Sequence, residues 1–524
     1  MSGAVGDRNL ARAAELALEL LGDHPSLFFE GTWYSSGEQA ERAARIGAGL
    51  VELGLQPGDR VIVMMENSPD VPVVYEAIWR AGAVVTPAIF LLTPDELRRI
   101  VSDSGAAAVI AAPPFLSTLA KAAEGVDSLR WTIATGDAED GVVSLARLEE
   151  HGRGEIVPRE NEDLAALMYT GGTTGASKGV MLTHSNLWTA GKAGRDATYI
   201  PGINRGLSCL PMSHAYGVLL MAGALHASEP GQTVLMKWFE PAQWLQLAQD
   251  HKVHVAAVVP SMIYLLLQQP VEEYDLSDFR YIGSGAAPLA AEAIAELKRR
   301  LPHIELREGY GLTECAALAT TMRPDKIKHG TVGRPVPGTE LKIFDDRDNE
   351  VPLGEVGEIC IRSDSVMKGY WNSPEQTAEA LRNGWLHTGD MGRVDEEDFV
   401  TIVDRKKDLI IRGGFNVYPR DVEEALLEHP SIATAGVVGR PDPRHGEEVV
   451  AFVTLQPGSS VESGELVAWS KEHRGYMYPR EVHVLRALPL TPVGKLARKA
   501  LREYLATVRT EGRTNPTTLQ GGTR

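Results

Sequence analysis

Short apolar segments with the character of buried strands alternate with helical patterns twice along this chain. The first series alternates strand and helix patterns, at residues 59–66, 71–81, 84–87, 94–102 and 106–112. A second series of the same kind runs from residue 207 to residue 284. Because strands that alternate with helices form parallel sheets covered by helices, the sequence predicts two α/β subdomains.

The pattern changes after about residue 330. Short alternating segments separated by turn residues follow, at residues 340–344, 357–362 and 400–403. They predict a small antiparallel sheet or barrel-like subdomain. Beyond a charge run at residues 404–408, helical and strand patterns return, at residues 421–428, 432–438, 449–455, 465–473 and 481–485. They predict a small α+β domain of roughly a hundred residues. The charge run itself suits either a solvated turn or an interdomain hinge.

Length and charge exclude several classes of protein. A chain of 524 residues is too long for one core, so at least two domains are expected. The formal net charge of -18 argues against a general nucleic-acid surface. The cysteines Cys209, Cys315 and Cys360 lie far apart, which favours a reducing cytoplasm over a zinc site or a disulfide framework. The uncharged stretches 207–227 and 253–271 contain Pro, Ser and His, so no transmembrane helix is expected.

The stretch 168–183, MYTGGTTGASKGVMLT, has the composition of a phosphate-binding loop. Glycines let backbone N–H groups converge on an anion, hydroxyls add donors, and Lys178 supplies a positive charge. Its spacing is not that of the ordinary nucleotide P-loop. A flexible surface loop is the alternative for a bare Gly/Thr run, and the lysine that follows favours phosphate binding.

Four further motifs follow this loop in order. They are GYGLTE at 309–314, GWLHTGD at 384–390, DRKKDLI at 404–410 and TPVGK at 491–495. Together the five resemble the motifs of the adenylate-forming superfamily, which includes acyl-CoA synthetases, peptide-synthetase adenylation domains and luciferases. The resemblance covers nearly the whole chain. It implies an N-terminal adenylating domain at residues 1–404 and a mobile C-terminal domain at 405–508; the apolar-poor tail 509–524 is predicted to be disordered.

The resemblance implies a reaction in which a carboxylate attacks the α-phosphate of ATP, leaving an acyl-adenylate and pyrophosphate. It assigns Thr313 to the α-phosphate, Glu314 to Mg²⁺, and Lys178 to the β- and γ-phosphates. Tyr310 would stack on adenine, and Asp390 would accept hydrogen bonds from the ribose. The other residues that it assigns to ATP are Thr170, Gly171, Gly172, Thr173, Thr174, Gly175, Gly285, Ala286, Ala287, Glu308, Gly309, Gly311 and Arg405.

Two further roles are implied for the C-terminal domain. Lys495 would bridge the attacking carboxylate and the α-phosphate, since a flexible ammonium acts as a mobile charge. Rotation about a hinge at Lys407 would then withdraw Lys495. The same rotation would bring in Gly413, Gly414 and Asn416 to help form a tunnel for the thiol of coenzyme A.

The identity of the acid is less constrained. In the family, amino-acid adenylation domains keep an aspartate just after this type of segment to pair the substrate ammonium. The corresponding segment here, CLPMSHAYGV at residues 209–218, has no acidic residue, so the resemblance disfavours an α-amino acid. The run 383–419 is similar to the signature of fatty-acyl-CoA synthetases. His214, Ala215 and Tyr216 are therefore expected to border an acyl pocket, with a packed core histidine as the alternative for His214.

These inferences predict a cytoplasmic, ATP- and Mg²⁺-dependent acyl-CoA synthetase for an apolar carboxylic acid of medium or long chain, or of similar bulk. The alternatives are an aryl-CoA ligase, or a ligase that loads a carrier-protein phosphopantetheine. The resemblance favours CoA, because carrier-loading fatty acyl-AMP ligases typically carry an insertion in the region between Glu314 and Asp390, and no extra segment interrupts that region here. A non-catalytic nucleotide-binding regulator is disfavoured by the retained site residues. The oligomeric state is left open, with a dimer plausible.

Overall fold

The structure is a computed structural model that describes residues 5–138, 141–170, 177–413, 415–474, 477–490 and 496–511, with backbone alone at 474 and 507–511. It confirms a mixed α/β fold with a large N-terminal and a small C-terminal domain.

The first α/β subdomain contains an eight-stranded sheet with a parallel centre. Its strands, in spatial order, are Gly369–Tyr370, Lys178–Thr183, Leu164–Thr170, Val84–Pro87, Arg60–Met64, Ala108–Ala111, Trp131–Ala134 and Val143–Ser144. The first two strands are antiparallel to their neighbours, and the others are parallel. The sequence patterns identified the central strands but not the antiparallel edge.

The second subdomain contains a nine-stranded sheet. Its strands, in spatial order, are Arg334–Pro335, Thr320–Thr321, Glu305–Tyr310, Tyr281–Ser284, Val255–Val258, Arg205–Ser208, Gln232–Leu235, Pro25–Phe29 and Thr32–Ser35. The hairpin at residues 25–35 comes from the far N-terminus and adds to the edge of the sheet through Pro25–Phe29. Asn67 joins the two subdomains, since its side chain donates to the carbonyls of Leu210 and Met236 and accepts from Met212 N.

Helices cover both sheets. In the N-terminal domain they are Leu10–Leu21, Ser36–Glu52, Asp70–Arg80, Pro94–Ser104, Leu116–Ala123, Leu145–Glu149, His184–Thr198, Ala215–Ala224, Pro241–Asp250, Pro260–Leu267, Ala291–Arg300 and Pro374–Ala380. The main core lies between the first sheet and its helices and includes the fully buried Tyr75 and Trp79. A second core lies under the outer helices of the nine-stranded sheet and includes Trp244 and Phe279.

The change of sequence pattern after about residue 330 corresponds to a separate four-stranded antiparallel sheet. Its strands are Glu340–Phe344, Gly357–Arg362, Leu386–Val394 and Val400–Arg405. The C-terminal domain follows, with strands Ile410–Arg412, Phe415–Val417, Ile432–Asp442, Gly446–Leu455 and Glu481–Val484 and helices Pro419–Leu427, Ser463–Arg474 and Arg498–Glu511. Within the described part of the chain, no helix is both long and apolar enough to cross a membrane.

Candidate active site

The predicted phosphate loop lies between two paired strands. Leu164–Thr170 and Lys178–Thr183 are antiparallel, and Thr170 is opposite Lys178 in their register. Lys178 therefore lies on a strand that separates the loop from helix His184–Thr198, a strand that the sequence patterns did not indicate. The loop residues Gly171, Gly172, Thr173, Thr174 and Gly175 lie outside the described residues.

A continuous series of contacts joins Lys178, Tyr370 and Glu314. The ammonium of Lys178 is 4.6 Å from the centroid of the Tyr370 ring, a cation–π distance. The Tyr370 hydroxyl donates to Glu314 Oε1 at 2.9 Å. Burial, followed by the charge of Glu314, raises the pKa of Tyr370 above its ordinary value, so the hydroxyl stays protonated as a donor. Thr313 and Glu314 begin a short 3₁₀ turn after strand Glu305–Tyr310.

Sequence reasoning missed Tyr370. It lies on the two-residue strand Gly369–Tyr370, which adds to the edge of the first sheet beside Lys178–Thr183. Residues 365–375 carried none of the five motifs, and only the two aromatic residues Tyr370 and Trp371 marked the segment. The contact with Glu314 joins positions 56 apart in sequence, which local patterns do not indicate.

A second cluster contains Tyr310, Asp390 and Arg405. The Tyr310 hydroxyl donates to Asp390 Oδ2 at 2.7 Å, and Arg405 Nε lies 3.1 Å from Asp390 Oδ1. Asp390 and Arg405 are directly opposite in adjacent strands of the four-stranded sheet. Asp390 is buried, and burial followed by its charge raises the pKa of Tyr310. The structure thus brings together three residues that the sequence assigned separately to adenine and ribose.

Close backbone contacts explain the glycines of the GYGLTE segment. A Cβ on Gly311 would lie 2.1 Å from the carbonyl oxygen of Ala317, so no other residue fits without rearrangement. The space beside Gly309 is also limited, because an added Cβ would lie 3.1 Å from Thr320 O. A Cβ on Gly285 would in turn lie 3.2 Å from Gly309 O.

The segment 284–287 and Glu308 lie side by side at the ends of two parallel strands. Ser284 and Glu308 are opposite each other in the register, and Ala286 and Ala287 are exposed beyond them. Glu308 Oε2 and Ser284 Oγ are buried and have no hydrogen-bond partner among the described residues. Burial raises the pKa of Glu308 to about 7, against the opposing effect of Arg420.

The three residues predicted to border an acyl pocket lie at the start of helix Ala215–Ala224. His214 is its N-cap and accepts from Tyr216 N at 3.4 Å. Ala215 is buried, and burial raises the pKa of the Tyr216 hydroxyl. A separate cavity of about 140 Å³ lies at the carboxyl ends of neighbouring strands and does not include these three residues. Its lining includes Phe90, Cys209, Pro211, Trp238, Phe239 and Met262.

The predicted hinge lies in a 3₁₀ turn, Lys406–Asp408, between the four-stranded sheet and the C-terminal domain. Two buried aspartates on either side of Lys407 contact that domain. Asp404 accepts from Arg420 N at 2.8 Å, and Asp408 accepts from Arg502 at 2.7 Å. The charge run at 404–408 is therefore partly buried and is not a fully solvated turn.

The segment assigned to the thiol tunnel forms the hairpin Ile410–Arg412 and Phe415–Val417. Gly413 at its turn has a φ of 60°, and Asn416 is exposed on the second strand. Gly414 and Lys495 lie outside the described residues.

Comparison with known proteins identifies the family. Residues 15–371 match the AMP-binding enzyme family, and residues 421–495 match the AMP-binding enzyme C-terminal domain. The chain belongs to the AMP-binding enzyme family, which confirms the adenylate-forming superfamily, and it is an acid-thiol ligase.

Two curated relatives illustrate the range of the family. The chain is 35% identical over 535 residues to a long-chain-fatty-acid–CoA ligase of Escherichia coli O6:H1, covering 95% of this chain and 94% of the relative. It is 36% identical over 489 residues to 4-coumarate–CoA ligase 2 of Solanum tuberosum, covering 90% of this chain and 89% of the relative.

A solved relative is known in two states. ATP-bound MatB from Rhodopseudomonas palustris is 31% identical, with a TM-score of 0.87, covering 95% of this chain and 99% of that one. Apo MatB gives 30% identity and a TM-score of 0.77, covering 96% and 99%. The described structure therefore superposes better on the ATP-bound form.

Proposed function

We propose that this ligase activates an apolar carboxylic acid, a medium- or long-chain fatty acid or one of similar bulk, and transfers the acyl group to coenzyme A. The observation that carries the proposal is the arrangement of two clusters around strand Glu305–Tyr310 and its following turn. One cluster, Lys178–Tyr370–Glu314, suits phosphates and a metal. The other, Tyr310–Asp390–Arg405, suits a nucleoside.

In the first step, a carboxylate oxygen of the acid attacks the α-phosphorus of ATP, the α–β anhydride bond breaks, and pyrophosphate leaves. Such a reaction needs positioning and charge neutralisation more than an acid or a base. Lys178 and the loop 170–175 would hold the β- and γ-phosphates, and Thr313 would donate to the α-phosphate. Tyr310 and Gly309 would contact the adenine, with Asp390 on the ribose.

Glu314 fits a Mg²⁺ site because its carboxylate is a hard oxygen ligand that Tyr370 already orients. Bound there, Mg²⁺ would supply positive charge to the phosphate oxygens. The hydroxyl of Tyr370 fixes the position of one carboxylate oxygen, and its ring limits where the Lys178 ammonium lies.

In the second step, the thiol sulfur attacks the acyl carbon, the carbon–oxygen bond to AMP breaks, AMP leaves, and the thiol proton passes to solvent. The domain 405–508 would be mobile relative to residues 1–404. In one arrangement it would place Lys495 at the site of the first step. Rotation at Lys407 would then bring Gly413, Gly414 and Asn416 to the thiol. A cytoplasmic location stays a prediction, and the oligomeric state stays open.

The relative that acts on 4-coumarate supports an aryl acid as the second candidate substrate. A panel of fatty and aryl acids in ATP–pyrophosphate exchange separates the two classes. We expect exchange with apolar fatty acids and thioester formation with CoA. Exchange restricted to aryl acids would overturn the fatty-acid proposal, loading of a carrier protein in place of CoA would overturn the acceptor, and no exchange with any acid would overturn adenylation.

Lys495→Ala tests the division of labour between the two steps. Because the lysine is assigned to the adenylation step alone, adenylation should fall by orders of magnitude while thioester formation from supplied acyl-AMP is largely retained. Equal loss in both steps would show that Lys495 is mainly structural.

A further inference from the structure

Glu358 is a buried carboxylate that no motif of the sequence singled out. It lies on strand Gly357–Arg362, and its side chain is 6% exposed. The neighbouring strand, Leu386–Val394, contains Asp390, and Glu358 is opposite Met391 in the register. Glu358 is therefore opposite the residue that follows Asp390, the residue assigned to the ribose.

One oxygen of Glu358 holds the irregular segment 388–390 of strand Leu386–Val394, which we call the ribose turn. Gly389 N donates to Glu358 Oε1 at 3.0 Å. Gly389 has a φ of 71°, a conformation that glycine adopts more readily than other residues. The same turn is held by Thr388, whose hydroxyl accepts from Asp390 N at 3.1 Å. Loss of the Glu358 contact would free the backbone next to Asp390.

The other oxygen contacts the residue next to the hinge. Lys406 Nζ lies 3.2 Å from Glu358 Oε2, and His387 Nδ1 lies 3.3 Å from the same oxygen. Lys406 begins the 3₁₀ turn that contains Lys407. Its ammonium also reaches Asp346, an exposed residue, at 2.8 Å. One side chain thus bridges the ribose turn and the hinge turn.

Charge stabilises the contact between Glu358 and Lys406, so breaking it would cost free energy. Burial raises the pKa of Glu358, but hydrogen bonds and charge from His387 and Lys406 outweigh it, so the pKa lies below its ordinary value. A buried carboxylate that lost Lys406 would keep fewer compensating partners. A movement of Lys406 with the turn Lys406–Asp408 would therefore change the interactions of Glu358 and, through its other oxygen, the position of Gly389.

We propose that Glu358 is a positioning residue that couples nucleotide binding at Asp390 to the position of the hinge turn Lys406–Asp408. The proposal rests on the proposed function, which assigns Asp390 to the ribose and Lys407 to the hinge. The contact with Lys406 belongs to the arrangement that superposes better on ATP-bound MatB. The pair therefore favours the arrangement for adenylation, and nucleotide binding in turn favours the pair.

A cation site is the competing explanation for this cluster, because ligand atoms of Glu358, Cys360 and His387 lie within 4.8 Å of one another. The Lys406 ammonium and the Arg382 guanidinium, 3.5 Å away, already face the same carboxylate. Both cations also pair with aspartates, Arg382 with Asp348 at 3.0 Å and Lys406 with Asp346 at 2.8 Å, so a metal ion would be a third cation at Glu358 Oε2. The charge balance therefore favours the role in coupling.

Two matched variants test the coupling. Glu358→Gln keeps the size and the acceptor for Gly389 N but removes the charge, and Lys406→Met removes the ammonium from the other side. Asp346→Asn is the control, because it changes the exposed partner of Lys406 and leaves Glu358 in place. The measurements are pyrophosphate exchange, thioester formation from supplied acyl-AMP, and the affinity for AMP by calorimetry.

We expect each single variant to lower the ratio of adenylation rate to thioester rate by about tenfold, within the range of typical coupling effects. The double variant should resemble the single ones, because both remove the same contact. By reciprocity, Lys406→Met should weaken AMP binding although Lys406 is assigned no nucleotide contact. Asp346→Asn should match the wild type in all three measurements.

Equal losses in both half-reactions together with unchanged AMP affinity would show that Glu358 only stabilises the small sheet. Additive effects in the double variant would equally overturn the coupling. If the wild type showed no exchange with any acid, the proposed function would fail. The AMP affinities of Lys406→Met and Glu358→Gln would still decide the coupling, and Lys406→Met serves where Glu358→Gln does not fold.

Discussion

Tyr370 joins two charged groups of the candidate site through a single side chain. Its ring faces the Lys178 ammonium, and its hydroxyl donates to Glu314. The two contacts use different parts of the Tyr370 side chain. Lys178 and Glu314 can therefore both contact it at the same time. At the residue scale, the candidate site therefore includes a position that the motifs did not include.

Tyr370→Phe separates the two contacts. The ring under Lys178 is kept, while Glu314 loses a hydrogen bond of a kind worth about 1.5–3 kcal/mol when the acceptor is charged. We expect the Mg²⁺ concentration for half-maximal adenylation to rise by about tenfold, with little change in melting temperature. Glu314→Gln provides the comparison and should abolish activity at any Mg²⁺ concentration. A Phe variant with the Mg²⁺ dependence of the wild type would remove Tyr370 from the site.

The raised pKa of Glu308 predicts that the stability of the protein depends on pH. Burial raises its pKa from the ordinary 4.5 to about 7, so the folded state favours the protonated form. Stability from this group is fully present below pH 4.5 and is lost as pH rises toward 7. Glu308→Gln does not titrate, so its free energy of unfolding relative to the wild type should increase between pH 5 and pH 8, by at most about 3 kcal/mol. Denaturant unfolding at both pH values measures the difference, and a constant difference would contradict the prediction.

At the scale of elements, the turn after Tyr310 shows why glycine is required there. Ala316 and Ala317 both have positive φ values, 55° and 81°, and the carbonyl of Ala317 lies against Gly311. This folds the chain back so that Thr313 and Glu314 follow the strand end closely. The geometry of the turn depends on Gly311 having no side chain.

Gly311→Ala should therefore be both unstable and inactive. The added Cβ would lie 2.1 Å from Ala317 O, and overpacking of this kind costs typically about 1–3 kcal/mol. We expect a lower free energy of unfolding together with loss of pyrophosphate exchange. Gly464→Ala is the matched control, because no atom lies within 4 Å of its added Cβ and the residue is helical, so stability should stay equal or rise. Equal behaviour of the two variants would show that the turn has room.

Most elements could be predicted from the sequence because their signals are local. Strand Arg60–Met64 and helix Asp70–Arg80 fall within a residue or two of the patterns at 59–66 and 71–81. Strand pairing could not be predicted in the same way. Pro25–Phe29 adds to a strand at residues 232–235, and Gly369–Tyr370 adds to one at 178–183, through backbone hydrogen bonds that leave no pattern in either segment. Tyr370 was missed for the same reason.

At the scale of the whole molecule, the charge run at 404–408 was recognised as a connector, but its contacts were not. Asp404 and Asp408 bind Arg420 and Arg502, which come from two different helices of the C-terminal domain. They flank the basic residues Arg405, Lys406 and Lys407, and Lys406 contacts the four-stranded sheet through Glu358. The connector thus has anionic contacts to one side and a cationic contact to the other, an arrangement that only the three-dimensional structure shows.

Rotation about this connector is tested by fixing its backbone. The 3₁₀ turn Lys406–Asp408 uses φ values close to the one that proline imposes, so Lys407→Pro fixes φ of residue 407 within the range of the turn. Proline also disfavours the helical conformation of the residue before it, so the variant strains the turn at Lys406 and restricts the connector at two residues. Because the described arrangement superposes better on ATP-bound MatB, we expect the variant to retain acyl-AMP formation.

Transfer to CoA should fall by more than about tenfold in Lys407→Pro, since it would require a second arrangement that the stiffened connector does not reach. Lys407→Ala should retain both steps, because the prediction concerns backbone freedom and not the ammonium. Pyrophosphate exchange and single-turnover thioester formation from supplied acyl-AMP measure the steps separately. A proline variant that completes the CoA step at the wild-type rate would place the hinge elsewhere or exclude rotation at this connector, whereas loss of adenylation alone would mean that the described arrangement is the one for thioester formation.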